Sequence, residues 1–266
     1  MSIKYTTALL SFVDILGFKA LIETASPDVI LGILSRKETL GLERLSIDKG
    51  GFLGGGLTTF NFSDLIVNVH KINDGYESNG NLVYLVHNHF RAIGGVQWAL
   101  VRSGVFVRGG IALGQIYASK RTLFGPALIR AYELESRRAK WPIIAIDEEC
   151  LQEIDRQLDA HFDYRNRTEP SHGIPREVLR HHLYGQFITR TDDGVPFLDY
   201  LACMLYEDEA TGDFALHLAN HKEAVLAAYA RHKHYKYEFL ARNHNRVCEK
   251  LGLTAELIQM NAGTIG

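Results

Sequence analysis

Two aspartates occupy apolar stretches of the chain, where an uncompensated charge is costly to bury. Asp14 directly follows the apolar run Ala8–Val13, and Asp64 lies within a second run, Leu57–Val69. Because a buried carboxylate needs a compensating cation, the two acids predict a shared site for divalent metal ions. Two ions held roughly 3.5–4 Å apart can activate an attacking oxygen and stabilise a leaving one, as phosphoryl and nucleotidyl transfer require.

The turn after Asp14 is the next feature that could do chemistry. Residues 15–18 carry the chain from a predicted strand into a predicted helix, and Gly17 allows a ligand to approach the backbone closely. Backbone N–H groups at such a position form a cradle for phosphates. From the residue types alone, an equally simple interpretation is that both aspartates are structural acids of turns at strand ends.

The elements that would position these residues follow from hydrophobic periodicity. Strands are predicted at 8–13, 57–70 (one strand or a hairpin), 105–113 and 141–146 with a possible return strand at 115–118. Helices are predicted at 17–23, 27–45, 82–100 and 125–138, and plain connectors at 50–56 and 73–75. Phe60, Phe62, Asp64 and Ile66 alternate and are predicted to share one strand face. The order β-α-β-β-α-β-β-α-β predicts an α+β fold with a mixed sheet covered by helices.

The second half of the chain has a different character. Residues 165–175 are polar and contain two prolines and a glycine, which predicts an exposed loop. Residues 213–250 read as one long helix or two joined helices, whose apolar stripe would pack on the first domain or on a partner subunit. We therefore expect a domain at 1–150 and an α-rich C-terminal extension at 151–266.

Composition excludes several classes of function. The chain has 266 residues, a formal net charge of −2 and 46% hydrophobic residues, which gives no electrostatic footprint for a nucleic-acid backbone. Its three cysteines are far apart and lack CxxC spacing, as expected of free thiols in a reducing compartment. Without a signal-peptide pattern or an apolar run long enough to cross a bilayer, we expect a cytoplasmic protein that binds neither nucleic acid nor membrane.

Four ordered blocks of sequence resemble class III nucleotide cyclases. Phe12–Phe18 (FVDILGF) resembles the first metal motif of that family, and Ser63-Asp64 followed by Leu-Ile-Val resembles the second. Val107–Gly114 (VRGGIALG) is similar to the strand that follows, and Leu123–Ser136 (LFGPALIRAYELES) is similar to the next helix. The resemblance covers residues 5–147 in family order, and it implies the class III cyclase-like, ferredoxin-like form of the mixed sheet.

The resemblance implies a two-metal mechanism. Asp14 and Asp64 would hold two Mn²⁺ or Mg²⁺ ions, with the Ile15 carbonyl as a further ligand. The triphosphate would be bound by the backbone of Leu16, Gly17 and Phe18. The ribose 3′-oxygen would attack the α-phosphorus in line, giving a 3′,5′-cyclic nucleotide and pyrophosphate. Family members are head-to-tail dimers with sites between subunits, which implies a homodimer with two equivalent sites.

The departures from the family pattern concern the base and the transition state. Phe60 and Thr122 occupy the positions of the lysine and aspartate that select a purine, so they are the predicted base-recognition residues and a purine is disfavoured. The family's transition-state asparagine and arginine align with Ile129 and Glu133, which cannot replace them. Arg130, one residue away, is the remaining candidate for a catalytic guanidinium near the α-phosphate.

The run from Gly125 to Glu135 and the late segment Lys236–Asn245 also resemble the bacterial anti-phage pyrimidine cyclases called Pycsar. This resemblance implies synthesis of cyclic UMP from UTP, or of cyclic CMP from CTP, as a second messenger read by a separate effector protein. UTP is preferred because its product is the commoner one in that group. Two alternatives stay open: a purine nucleotide cyclase, and a degenerate cyclase-like module that binds nucleotide without turnover.

Overall fold

The structure is a computed structural model that describes residues 4–35, 57–72, 81–119, 121–168, 175–208, 214–232 and 235–259. The connectors predicted at 50–56 and 73–75, and the later part of the helix predicted at 27–45, lie outside these residues. Within them, every helix is too short or too polar to span a bilayer. The three cysteines are buried and form no disulfide bond.

One mixed sheet holds the eight strands of the described residues. They are β1 (Thr6–Ile15), β2 (Leu57–Phe62), β3 (Leu65–Lys71), β4 (Val107–Ala118), β5 (Leu123–Phe124), β6 (Ile144–Ile146), β7 (Ile188–Arg190) and β8 (Pro196–Leu198). Their order is β2-β3-β1-β4-β6-β8-β7, with β5 paired to β4 off this path. β1 runs antiparallel to both β3 and β4, whereas β6 runs parallel to β4.

Helices cover both faces of the sheet. They are α1 (Phe18–Thr24), α2 (27–35), α3 (Asn81–Val101), α4 (Pro126–Glu133), α5 (Glu148–Thr168), α6 (Arg176–Leu183), α7 (Tyr200–Asp208), α8 (Phe214–His232) and α9 (Tyr235–Lys250). A π-helical turn, Leu134–Arg138, continues α4. One core lies between the sheet and α3, α5 and α7, and another lies between the sheet and α4. The predicted α+β fold, a mixed sheet covered by helices, is confirmed.

The predicted order of strands and helices up to β6 matches the structure, but two local interpretations are wrong. Gln115–Ala118 continues β4 instead of returning beside it, because the return strand is the short β5. Ile66 does not share a face with Phe60. The chain reverses through a two-residue turn at 63–64, after which Phe60 pairs with Val67 and Ile66 faces the opposite side.

The C-terminal half adds strands as well as helices. β7 and β8 form a hairpin, and β8 pairs antiparallel with β6, so that residues 188–198 extend the sheet begun by the first half. The loop predicted at 165–175 starts later, since α5 continues to Thr168. The helical segment predicted at 213–250 is two helices, α8 and α9, and α9 packs its apolar face against Phe197 in a third core.

A buried chain of hydrogen bonds joins α7, α8 and α9. His221 and His244 are fully buried, and their Nδ1 atoms are 2.9 Å apart. Since the Glu256 carbonyl, 2.8 Å from His244 Nε2, can only accept, His244 donates to it and accepts at Nδ1 from His221. His221 Nε2 then accepts from the Tyr200 hydroxyl at 2.5 Å. Both rings are therefore neutral, and burial lowers the pKa of His221 to about 3 and lowers that of His244.

Acid should destabilise this packing. Below a pKa of about 6.5, the His221 ring takes up a proton in the unfolded chain but not in the folded one, so the free energy of unfolding should fall by about 1.4 kcal/mol per pH unit from this group. His221→Gln should remove that contribution, whereas His181→Gln, at an exposed histidine of α6, should keep it. Urea denaturation at pH 7, 6, 5 and 4 measures the slopes, and an unchanged slope after H221Q would contradict the assignment.

Candidate functional site

Asp14 and Asp64, here called the aspartate pair, lie at the same edge of the sheet. Asp14 is paired across β1 and β3 with Leu65, the neighbour of Asp64. Ser63 has a left-handed backbone (φ 53°), as tight hairpin turns require. The Ile15 N–H donates a hydrogen bond of 3.2 Å to the Asp64 carbonyl. This contact holds the hairpin turn against the end of β1, which brings the two acids to one edge.

The aspartate pair fits a divalent cation that prefers oxygen ligands. Mg²⁺ is usually held by one or two carboxylates together with substrate phosphates and water, and Mn²⁺ takes similar donors. The Asp14 side chain is 25% exposed, so a cation can reach it. No three His, Cys, Asp or Glu side chains converge on one point in the part of the chain that the structure describes. The protein would therefore supply two carboxylates, with the Ile15 carbonyl as the remaining predicted ligand.

A cation of the protein itself stands on the other side of Asp14. Arg108 is the cross-strand partner of Asp14 on β4. Its Nε lies 3.8 Å from Asp14 Oδ2 and 2.5 Å from Glu135 Oε1. Burial raises the pKa of Glu135, an effect that Arg108 opposes and Asp14 reinforces. One guanidinium is thus shared by two carboxylates.

Close packing of α4 on the sheet places Glu135. A Cβ at Gly110 of β4 would overlap the carbonyl oxygen of Ala131, so the absence of a side chain lets the helix approach this strand. After Glu133 the helix widens into its π turn, a rare feature often found at functional sites, and Glu135 is buried there. Sequence reasoning missed Glu135, although it follows Ala127 and Ala131 at steps of four, which marks the buried face of the predicted helix.

Gly110→Ala should lower the free energy of unfolding by about 3 kcal/mol, because the new methyl group must displace the backbone of α4. Gly32→Ala is the matched control. Gly32 lies in α2 with open space around its Cβ position, so this change should be neutral or slightly stabilising. Urea denaturation compares the two variants, and equal stability would show that α4 does not press on β4 as described.

The turn predicted to cradle the triphosphate is already engaged in part. The Leu16 N–H donates to the Phe106 carbonyl at 2.9 Å. Gly17 has φ 73°, a conformation that favours glycine, and its carbonyl accepts from Leu21 as α1 begins. The Phe18 side chain is buried in the core under α3. The N–H groups of Gly17 and Phe18 are the part of the predicted phosphate cradle that the hydrogen bond from Leu16 to Phe106 does not occupy.

The two residues predicted to read the base lie far apart in one protomer. Phe60 is 7% exposed, and its ring is parallel to that of Phe62, which is 53% exposed, with 6.5 Å between centroids. Thr122 is exposed in the β4–β5 connection. Phe60 lies in the cross-strand row of Gly110, and eight residues of β4, about 26 Å, separate that row from Ala118 beside this connection. One pyrimidine ring therefore cannot contact both residues of a single protomer.

Arg130 lies away from the aspartate pair, toward the other end of β4. Its guanidinium donates to the Leu113 carbonyl and to the Glu149 carboxylate, and it stands 3.5 Å from Asp147 Oδ2. Burial raises the pKa of Asp147, and Arg130 opposes that shift. A cavity of about 340 Å³ opens beside Arg130. Within one protomer, the structure does not bring this predicted catalytic arginine to the metal edge.

Comparison with known proteins adds little to this geometry. No protein-family model matches the chain, and no curated protein matches it. Among solved structures, a bacterial light-regulated adenylyl cyclase superposes with a TM-score of 0.40 at 18% identity, covering 56% of this chain and 79% of its own. A class III adenylyl cyclase-like ATP-binding protein from Pseudomonas aeruginosa superposes with a TM-score of 0.39 at 11% identity, covering 70% and 46%. Scores this low do not assign the chain to a family.

Proposed function

We propose that this chain is a metal-dependent nucleotidyl cyclase that converts UTP to 3′,5′-cyclic UMP and pyrophosphate. The observation that supports the proposal is the aspartate pair, in which Asp14 lies next to the last residue of β1 and Asp64 lies in the hairpin turn that is hydrogen-bonded to Ile15. The first three motif blocks that resemble class III cyclases fall on β1, on the Asp64 turn with β3, and on β4, and the fourth covers β5, α4 and the start of its π turn. The proposed product is a second messenger of bacterial anti-phage defence, read by a separate effector protein.

In the proposed mechanism, the main role of the chain is to position charges. Asp14 and Asp64 would hold two Mn²⁺ or Mg²⁺ ions, with the Ile15 carbonyl as an additional ligand. When bound, such ions activate the ribose 3′-hydroxyl and neutralise the triphosphate. The bond from the 3′-oxygen to the α-phosphorus forms as the bond to the pyrophosphate oxygen breaks, and the hydroxyl proton passes to solvent. The backbone at Gly17 and Phe18 would keep the triphosphate in line for this attack.

A pyrimidine is the proposed base because the chain lacks the lysine and aspartate with which related cyclases hold a purine. Phe60 is a buried aromatic residue, and Thr122 offers only a hydroxyl group. Neither side chain can supply the charged pair at a purine edge. UTP is preferred to CTP on the resemblance to the Pycsar group, and the cytidylate cyclase and the purine cyclase are the alternatives to the proposed enzyme.

A homodimer with sites between protomers is part of the proposal. The α4 side of the sheet exposes three large apolar side chains: Phe62 (53%), Ile129 (60%) and Tyr132 (52%). Apolar surface on the face that carries the aspartate pair favours burial against a second copy. Because Arg130 and Thr122 lie away from the aspartate pair in one protomer, a site that used them would need a partner subunit.

The purified chain with Mn²⁺ and UTP should form cyclic UMP and release pyrophosphate. Asp14→Asn should slow the reaction about 100-fold or more, because a metal ligand is lost. Asp28→Asn, at an exposed aspartate of α2, removes the same charge elsewhere and should keep the full rate. Mass spectrometry after incubation with each of the four NTPs identifies the product. The proposal fails if no NTP is cyclised or if D14N leaves turnover unchanged, and a dominant purine product would refute the pyrimidine preference.

Ile129→Asp should weaken self-association at least about tenfold, since it places a charge in the apolar surface on α4, and cyclase activity should fall with it. Leu216→Asp, at a leucine of α8 that is 61% exposed, is the matched control and should change neither property. Sedimentation equilibrium measures the dimer constant. A fully active monomer would contradict the proposal of sites between subunits.

One observation favours a second function, a module that binds nucleotide without turnover. The positions that align with the family's transition-state residues hold Ile129, which is exposed, and Glu133, whose carboxylate is 3.1 Å from Arg137. Neither side chain can donate a hydrogen bond to an α-phosphate. Tight NTP binding with no pyrophosphate release would support this alternative.

A further inference from the structure

Asp14 stands between charges of opposite sign. On the β3 side of β1 is the turn that carries Asp64, and on the β4 side is Arg108, the cross-strand partner of Asp14. A guanidinium 3.8 Å from a carboxylate attracts it and competes with any metal ion for the same oxygens. The position of Arg108 therefore affects how strongly Asp14 can bind a cation.

Glu135 draws Arg108 away from Asp14. The guanidinium Nε is 2.5 Å from Glu135 Oε1 but 3.8 Å from Asp14 Oδ2. The Glu135 side chain is 5% exposed, whereas those of Arg108 and Asp14 are 33% and 25% exposed. Burying a carboxylate is costly unless it is paired, and the shorter distance shows that the guanidinium lies nearer to the buried Glu135 than to Asp14 at the metal edge.

The backbone around Glu135 is fixed by packing. Glu135 lies in the π turn that follows α4, and the helix is pressed against Gly110 so closely that a Cβ there would meet Ala131. The carboxylate of Glu135 is therefore held against Arg108 from α4, the helix that packs on the face of the sheet shared by Arg108 and Asp14.

We propose that Glu135 is a positioning residue that limits the competition between Arg108 and a divalent metal for Asp14. The inference rests on the proposed metal-binding role of Asp14. Held by Glu135, the guanidinium offsets part of the negative charge at the aspartate pair and stays 3.8 Å from Asp14 Oδ2. Without the charge of Glu135, the guanidinium closes on Asp14 and covers it.

Mn²⁺ binding in the absence of nucleotide, followed by the electron paramagnetic resonance signal of free Mn²⁺, tests this role. Glu135→Gln should weaken the affinity about tenfold, because Arg108 moves onto Asp14. Adding Arg108→Met to E135Q should restore at least the original affinity, since the competing cation is gone. A merely structural role for Glu135 predicts no such rescue. If E135Q does not fold, Glu135→Asp, which keeps the charge and shortens its reach, should weaken binding in the same direction.

Two controls separate this inference from the proposed function. Glu153→Gln removes one carboxylate from an ion pair with Arg156 on α5 and should leave Mn²⁺ affinity unchanged. Asp14→Asn should abolish binding. If D14N still binds Mn²⁺, or if the unaltered chain binds none, the metal assignment and the positioning role both fail. If D14N loses binding while E135Q stays within about twofold of the original chain, or if the double variant is as weak as E135Q, only the positioning role is overturned.

Discussion

The charge of Asp14, at the end of a strand that is buried on both faces, is the constraint on which the rest of this structure depends. The strand must be central because its residues are apolar on both sides, and the acid must then be balanced where the strand ends. Arg108, on the neighbouring strand β4, lies 3.8 Å from the Asp14 carboxylate, and the turn that carries Asp64 lies on the opposite side of β1. Glu135 and Gly110 serve the same requirement indirectly, since one holds the guanidinium and the other lets the helix that carries Glu135 approach.

The C-terminal extension is connected to the same edge through Phe106. The Phe106 carbonyl holds the Leu16 N–H, two residues after Asp14. The Phe106 ring packs edge-on against Tyr237 of α9, with 5.1 Å between centroids. A shift of α9 would therefore be transmitted to the turn next to the proposed metal site. Phe106 thus links α9 of the C-terminal extension to the turn that follows Asp14.

Sequence patterns predicted the element order and singled out Asp14 and Asp64, because long apolar runs and acids within them are local signals. They failed where the outcome depended on contacts between distant segments. The face of the sheet on which the Ile66 side chain lies depends on the two-residue turn at 63–64, because side chains alternate between faces along a strand. The buried role of Glu135 depends on how closely α4 approaches Gly110. The strands β7 and β8 have only three residues each, which is too short for any periodicity to show.

The pairing of β6 with β8 has a consequence for the order in which the chain can fold. Ile144 pairs with Leu198, a partner that leaves the ribosome more than fifty residues later, and β6 is buried along its whole length. During synthesis, one hydrogen-bonding edge of β6 is therefore uncovered until the β7–β8 hairpin has been made. Uncovered strand edges can pair with other chains. The short length of β6 limits this risk, because only three residues are available to pair with a strand of another chain.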